Sequence, residues 1–311
     1  MEKHSLNCGI VDLGSNTIRL SIYGYENNEA KLLLNQKETA GLAGYVVDNR
    51  LSLKGIAKAC AVLNSFKEIL ANFNIAYYSV FATASLRNID NTEEALQKIE
   101  ENTGIKVDLL SGEEEARLGF LGVAREIDAD EGLFIDIGGA STELLIFRNR
   151  EIIRAVSMPL GCLNLYLRHV SSLQPEKSEM RDIKRSVLKE LEKTGIPQDG
   201  CQNVIFGIGG TVRAVRKLYN DYYKLPKGNT DMEAVLFGEF LHAYKSNRED
   251  FIRRILQLSP ERIHTIIPGM ILLKTIAKSC GIEHFTVIDD YGLREGYLYE
   301  RIIGAHAEKC S

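Results

Sequence analysis

Carboxylates set at strand ends beside runs of small residues are the chemistry-bearing feature of this 311-residue chain. In Ile135-Asp136-Ile137-Gly138-Gly139-Ala140-Ser141-Thr142-Glu143 an acid closes an apolar stretch and residues with little side chain follow. Main-chain N–H groups in such a turn can face an anion. Oxygen ligands such as Asp136 and Glu143 suit a hard divalent cation, Mg2+ first among them. The stretch reads as strand, tight turn, strand, with Gly138 and Gly139 supplying a turn that takes φ > 0. The same pattern runs without a gap from Val11 to Tyr23, at an offset of 124 residues. Asp12 falls on Asp136, Gly14 on Gly138, Thr17 on Ser141 and Arg19 on Glu143. Two such loops facing each other would form a cleft between lobes, the usual place for a ligand. A polyanion would be held there by N–H groups of Ser15, Asn16, Thr17, Gly139, Ala140 and Ser141. The metal would sit on Asp136, helped by Glu143 or Asp12. Arg19 and Glu143 would place a cation in one lobe and an anion in the other.

Three further stretches carry candidate groups. Ser111-Gly112-Glu113-Glu114-Glu115-Ala116-Arg117 opens a helix, with Ser111 as N-cap and Glu114 as its capping-box partner. Only one glutamate is needed for that box, so Glu115 is free to point elsewhere. Arg87 closes Ala82-Thr83-Ala84-Ser85-Leu86-Arg87, a small-residue turn after a strand, and can reach a phosphate from there. Gly207-Ile208-Gly209-Gly210-Thr211 is a third glycine-rich turn, between a strand and a helix. The six histidines show no metal-ligand spacing.

The elements that must position these groups begin the same series twice. Strands are expected at Cys8 to Leu13, Thr17 to Tyr25 and Ala30 to Thr39, turning at Gly14-Ser15-Asn16 and Asn27-Asn28. A helix over Leu51 to Phe73, with Ser52 as a cap, precedes a strand at Ala76 to Ala82. A helix over Asn91 to Asn102, where Asn91 and Glu94 fit a capping box, precedes a strand at Ile105 to Leu110. The Ser111 helix should run to about Ile127. Strands restart at Leu133 to Ile137, Thr142 to Phe147 and Glu151 to Ser157. Pro175 to Thr194 reads as a helix, Val204 to Ile208 as a strand, and Gly209 to about Tyr219 as a helix. A polar loop over Asn220 to Asp231 leads to helices at Glu233 to Ser246, Arg248 to Leu256 and Ile266 to Cys280. A strand at Phe285 to Ile288 and a helix at Leu293 to Ile303 close the chain. The predicted domains are residues 1–125 and 126–292, with the helix from 293 to 311 packing back on the first.

Composition sets the class. A hydrophobic content of 45% supports real cores, and a net charge of −4 argues against a general nucleic-acid binder. Six scattered cysteines without a CxxC pair read as reduced thiols in a cytoplasmic protein. The N-terminus lacks the pattern of a signal peptide, and no apolar run approaches the roughly 20 residues of a membrane span.

Taken together and in order, the Asp12–Thr17, Ala82–Arg87, Ser111–Arg117, Asp136–Glu143 and Gly207–Thr211 stretches resemble the exopolyphosphatase/guanosine pentaphosphate phosphohydrolase family. Pro268-Gly269 and Tyr291-Gly292-Leu293-Arg294-Glu295-Gly296 resemble that family's C-terminal pattern. The resemblance covers nearly the whole chain and places it in the sugar kinase, Hsp70 and actin superfamily. It implies an α/β fold of two duplicated RNase H-like (actin-like ATPase) domains around a central cleft. It also implies hydrolysis of a terminal phosphoanhydride with Mg2+ or another divalent cation. Glu115 matches the family's catalytic glutamate, which orients or deprotonates water. Asp136 and Glu143 match its functional acids, and Arg87 its phosphate-binding arginine. Gly138, Gly209, Gly210 and Thr211 join the expected substrate-binding set with Arg19. The family's third loop glycine is Ala140 here. The chain resembles the short form, without the helical C-terminal domain of longer members.

The expected substrate is inorganic polyphosphate, with guanosine pentaphosphate as the alternative. An ATP-dependent kinase or ATPase and a non-catalytic polyphosphate or alarmone sensor are less favoured. Nucleic acid and membrane are not expected partners, and a homodimer is the assembly expected.

Overall fold

The structure, a computed structural model, describes residues 6–26, 29–196 and 203–304. The expected turn at Asn27-Asn28, Cys201, Cys310 and the final residues of the last expected helix lie outside them. The chain divides into two units, residues 6–111 with 300–304, and residues 112–299. The division falls before the helix that opens at Gly112, not after it as the boundary at 125 has it.

The first unit opens with β1 (Leu6–Leu13), β2 (Thr17–Glu26) and β3 (Glu29–Thr39), then a small hairpin of β4 (Val46–Val47) and β5 (Arg50–Leu51). Helix α1 (Leu53–Asn72) follows, capped as expected by Ser52, whose hydroxyl accepts from Gly55 N–H at 3.3 Å. Next come β6 (Tyr77–Ala82), the single turn α2 (Ala84–Arg87), α3 (Thr92–Thr103) and β7 (Val107–Leu109). Among the described residues the sheet order is β3-β2-β1-β6-β7. Alternate apolar residues of the sheet pack under α1, where Leu63 and Phe66 are fully buried. The capping box expected at Asn91 does not form. Its side chain instead bridges Leu51, accepting from that N–H at 2.9 Å and donating to that carbonyl at 3.0 Å. A buried backbone pair at a short edge strand outcompetes a cap that water could satisfy.

The second unit contains α4 (Gly112–Val123), β8 (Glu131–Ile137), β9 (Thr142–Arg148), β10 (Glu151–Met158), α5 (Cys162–His169) and α6 (Lys177–Thr194). It continues with β11 (Val204–Ile208), α7 (Gly209–Tyr222), β12 (Asp231–Glu233), α8 (Ala234–Ser246) and α9 (Arg248–Leu258). It ends in α10 (Ile266–Ser279), β13 (His284–Val287) and α11 (Leu293–Tyr297), which runs into a π-helical segment, Leu298–Gly304, whose residues from 300 on count with the first unit. The sheet order is β10-β9-β8-β11-β13-β12. Helix α5 and the edge strand β12 were not expected, because both are too short for periodicity to separate them from loop.

The two sheets share one plan. Three antiparallel strands lead, and parallel strands extend the sheet from β1 or β8. This is the expected duplicated RNase H-like α/β topology. The registers match residue for residue: Asp12 opposite Arg19 and Leu13 opposite Ile18 in the first, Asp136 opposite Glu143 and Ile137 opposite Thr142 in the second.

Helix α4 belongs to the second unit for a packing reason. A Cβ on Gly122 would overlap the carbonyl of Gly292, and one on Gly296 would overlap the carbonyl of Leu118. Such close backbone contact with α11 requires glycine on both sides. Gly119 rests on the Phe134 ring of β8, and Phe120 stacks with Phe147 at a centroid distance of 4.9 Å. Among the described residues no helix is long and apolar enough to cross a membrane.

Candidate active site

The chemistry of the second unit gathers where β8 and β11 end. Asp136 lies at the end of β8, opposite Ile208 of β11 and Glu143 of β9. Glu143 is 2% exposed, facing inward where an edge-facing acid would be solvated. Its carboxylate accepts from the Ser157 hydroxyl at 2.8 Å and from the Ser141 hydroxyl. Burial pushes the Glu143 carboxyl well above the usual carboxylate range, and the negative charges of Glu115 and Asp136 push it further. The three acids thus lie within reach of one another's fields.

Glu115 comes to this place from the first turn of α4. Gly112 meets Ser157 of β10 so closely that no side chain would fit between them. That contact seats the helix start against the strand beside Glu143. Of the three consecutive glutamates Glu113 is exposed, Glu114 intermediate and Glu115 buried, as helix geometry requires when one face meets a sheet.

The loop between β8 and β9 is held from behind by α5. The Gly138 carbonyl accepts from Cys162 N–H at 3.0 Å. The Gly139 carbonyl accepts from the N–H groups of Leu163 at 2.9 Å and Asn164 at 3.0 Å. The Ala140 carbonyl accepts from the Asn164 amide at 2.8 Å. The donors at a helix start, which have no partner within the helix, are thereby satisfied. In a trans peptide the C=O of one residue and the N–H of the next point opposite ways. The N–H groups of Gly139, Ala140 and Ser141 therefore point away from α5, and among the described residues none meets a backbone carbonyl. Successive outward N–H groups in a turn are the kind of feature that can face an anion.

Two expectations about this loop change. None of Gly138, Gly139 and Ala140 has positive φ, so Ala140 carries no strain where the family has glycine. Gly138 does not offer its N–H to an anion, since it donates to the Ser141 carbonyl at 3.0 Å and closes the turn. The twin loop has the same construction. Gly14 N–H donates to the Thr17 carbonyl at 3.1 Å, and Ala43 and Gly41 N–H groups hold the carbonyls of Ser15 at 2.9 Å and Asn16 at 2.8 Å. The N–H groups of Asn16 and Thr17 are turned outward by the same peptide geometry.

The glycine turn after β11, expected to hold phosphate, packs against charged side chains. Gly209, at φ +86°, lies directly against the Asp136 carboxylate, where any Cβ would collide. Gly210 lies under the Arg262 guanidinium in the same way. Thr211 is 2% exposed, and its hydroxyl accepts from Arg262 at 3.2 Å and meets the Cys162 thiol at 3.3 Å. These residues bring an acid and a cation together. Desolvation lowers the Arg213 pKa, while Asp136 and then Asp289 raise it; Arg294 and Arg262 lower it in turn. Arg213 thus feels the field of Asp136 on one side and those of Arg262 and Arg294 on another, so three cations gather on this side of the site. None was singled out from the sequence. Arg213 lies two residues past the glycine turn and Arg294 within the C-terminal motif, so both had a signal. Arg262, in the turn Pro260–Arg262, had none.

In the first unit, Asp12 ends β1 and Arg87 ends α2 beyond β6. Arg87 donates to the Leu110 carbonyl at 2.9 Å, and the Ser85 hydroxyl donates to the Leu13 carbonyl at 2.5 Å. These bonds tie α2 to the carboxyl ends of β1 and β7, the edge of an α/β sheet where ligands bind. Arg19 reaches Asn35 of β3 at 3.4 Å.

A cation fits the second unit's carboxylates. The donors are hard oxygens, and the charges of Glu115 and Asp136, which add to burial in holding a proton on Glu143, would also attract a divalent ion. Among the described residues no three His, Cys, Asp or Glu side chains converge as a ready-made cage. A metal here would take one or two carboxylates, Asp136 and Glu143, and complete its shell with water and phosphate oxygens.

Known proteins match this chain along nearly all its length. The model of the Ppx/GppA phosphatase family matches residues 21–303. The structure of the Aquifex aeolicus member of that family is 24% identical, with a TM-score of 0.78 over 97% of this chain and 99% of that one. A second study of the Aquifex aeolicus PPX-GPPA enzyme gives 25% identity and a TM-score of 0.76, covering 96% of this chain and 100% of that one. An exopolyphosphatase from Cytophaga hutchinsonii, 22% identical, reaches a TM-score of 0.81 over 96% of this chain and 98% of that one. These likenesses support the fold, and the family match supports the chemistry: the chain belongs to the Ppx/GppA phosphatase family and is a phosphoanhydride hydrolase.

Proposed function

We propose that the protein releases terminal orthophosphate from inorganic polyphosphate, with Glu115 placing the attacking water and taking its proton. Asp136 and Glu143 would hold a divalent cation, Mg2+ by its preference for oxygen and for phosphate partners. When bound, the cation would neutralise charge on the terminal phosphates. The N–H groups of Gly139, Ala140 and Ser141 would cradle the phosphate being transferred, and Arg213, Arg262 and Arg294 would add charge around it. In the first unit the matching role falls to Ser15, Asn16, Thr17, Arg19 and Arg87, with Asp12 as a further metal ligand. Phosphoryl transfer asks a protein chiefly for positioning and charge neutralisation, and these groups offer both. A cytoplasmic setting fits the buried free thiols of Cys8, Cys60, Cys162 and Cys280.

The observation that carries this reading is the cluster of Asp136 with the buried acids Glu115 and Glu143, beside a loop with three outward N–H groups. The test is phosphate release from long-chain polyphosphate in Mg2+, compared with guanosine pentaphosphate by kcat/KM. Glu115→Gln should lower kcat by about 100-fold or more and leave KM nearly unchanged. Unchanged kcat in that variant would remove Glu115 from the mechanism. A higher kcat/KM on guanosine pentaphosphate would replace polyphosphate as the substrate.

A further inference from the structure

Away from the acid trio, α6, α8 and α10 enclose a cavity of about 500 Å3. Six cations line it: Lys177, Arg181 and Lys184 of α6, Lys245 of α8, and Lys274 and Lys278 of α10. Their spacings of three and four residues put each set on one face of its helix. No acid is among the lining residues. Elsewhere on α6 cations are paired, Arg185 with Asp182 at 3.1 Å and Lys193 with Glu190 at 2.7 Å. Among the described residues none of the six lining cations has such a partner. Lys274 is the inner one: it is half-buried, with its ammonium over the bare Cα of Gly238. Burial lowers its pKa, as do Lys245, Lys278 and Lys184 around it.

Like charges crowded around a hollow cost stability unless something negative fills it. The floor is apolar, with Met180, Leu241 and Ile271 buried beneath the charges. A concave site with an apolar floor and charged walls, of this volume, suits a small molecule. Six positive charges exceed what one phosphate or carboxylate would balance. We propose that this cavity is a second binding site, taking a small molecule that carries two or more phosphate groups. It is separate from the acid trio, though α10 also packs on the glycine turn that follows β11. Gly269 abuts Thr211 of the glycine turn, and Lys274 lies five residues further, roughly 8 Å along the helix axis.

The test titrates the full chain and a Lys184→Gln/Lys274→Gln/Lys278→Gln variant with tripolyphosphate and with GTP, by calorimetry at low salt. The wild type should show two classes of site. In the variant one class should weaken by about 100-fold, since three charge-assisted contacts are lost, while kcat/KM on polyphosphate stays within about twofold. The single variant Lys274→Glu, which changes one side chain, should weaken the same class. Tighter binding of GTP than of tripolyphosphate would mean that a nucleoside uses the apolar floor; equal binding would mean that the phosphate chain alone is read. Both results support the site. Identical titrations of wild type and variants would overturn it, as would loss of both classes together, which would make these lysines part of the hydrolytic site. Because turnover is measured separately, failure of this inference leaves the proposed hydrolysis standing, and the reverse also holds.

Discussion

Replacing Gly161 by alanine would put a methyl group 2.5 Å from the carbonyl oxygen of Gly138, and 2.7 and 2.8 Å from the carbonyl carbon and oxygen of Gly139. All three are backbone atoms and cannot swing aside. Restoring ordinary contact requires α5 to retreat from the β8–β9 loop by roughly 1 Å. The three N–H bonds from Cys162, Leu163 and Asn164, now 2.9 to 3.0 Å long, would then exceed hydrogen-bond length. Losing them at about 1 kcal/mol each, or keeping them under strain of about 1–3 kcal/mol, gives the same expectation of roughly 2–3 kcal/mol lost. Urea unfolding reads that loss. The functional consequence is more specific. Once the carbonyls of Gly138 and Gly139 are released, nothing aims the N–H groups of Gly139 and Ala140 outward, so KM for polyphosphate should rise by about tenfold or more while kcat changes less. Asn164→Ala is the gentler companion. It removes the amide bond to the Ala140 carbonyl and the 2.7 Å bond from Gly161 N–H to the Asn164 side chain, and leaves the backbone in place. It should raise KM with a smaller loss of stability. An alanine at 161 that leaves both the unfolding midpoint and KM unchanged would refute the claim that α5 orients this loop.

Two further outcomes follow from the same geometry. In the absence of divalent cations, Glu143 holds its proton to a higher pH in the fold than at its ordinary value of 4.5. Its protonated form is therefore the stabilised one, and wild-type stability should fall as pH rises from that value through the folded pKa, by up to about 1.4 kcal/mol per pH unit. Glu143→Gln should lose this dependence and gain on the wild type as pH rises above 4.5; parallel pH profiles in urea would count against the burial of Glu143 beside two other acids. Ala140→Gly should cost about 0.5–1 kcal/mol by adding freedom to the unfolded chain, with KM moved less than twofold. A several-fold drop in KM would mean that the alanine methyl obstructs the anion.

Much of this protein is legible in one dimension because the relevant signals are local. An Asp at the end of an apolar run, a turn of small residues and a second apolar run describe a hairpin, and finding it twice at one offset describes the duplication. The matched registers at Asp12–Arg19 and Asp136–Glu143 follow from that, since strand pairing across a short turn leaves little choice. Glu115 was also within reach, because a helix start needs only one capping acid. What tertiary structure decided are the contacts made by distant chain segments. Helix α5 lies 21 residues beyond the loop whose carbonyls it holds, a spacing no motif encodes. Arg262 reaches Gly210 and Thr211 from a turn with no periodicity of its own. The roles of the glycines also changed once neighbours were known: those at 138 and 139 take ordinary backbone angles, while Gly209, Gly122 and Gly296 are needed because another chain segment occupies the space of a side chain. Residue type and spacing along the chain were enough to nominate the acids and the loop. Burial, approach and the company of other charges, which set what each group does, exist only once the chain has folded.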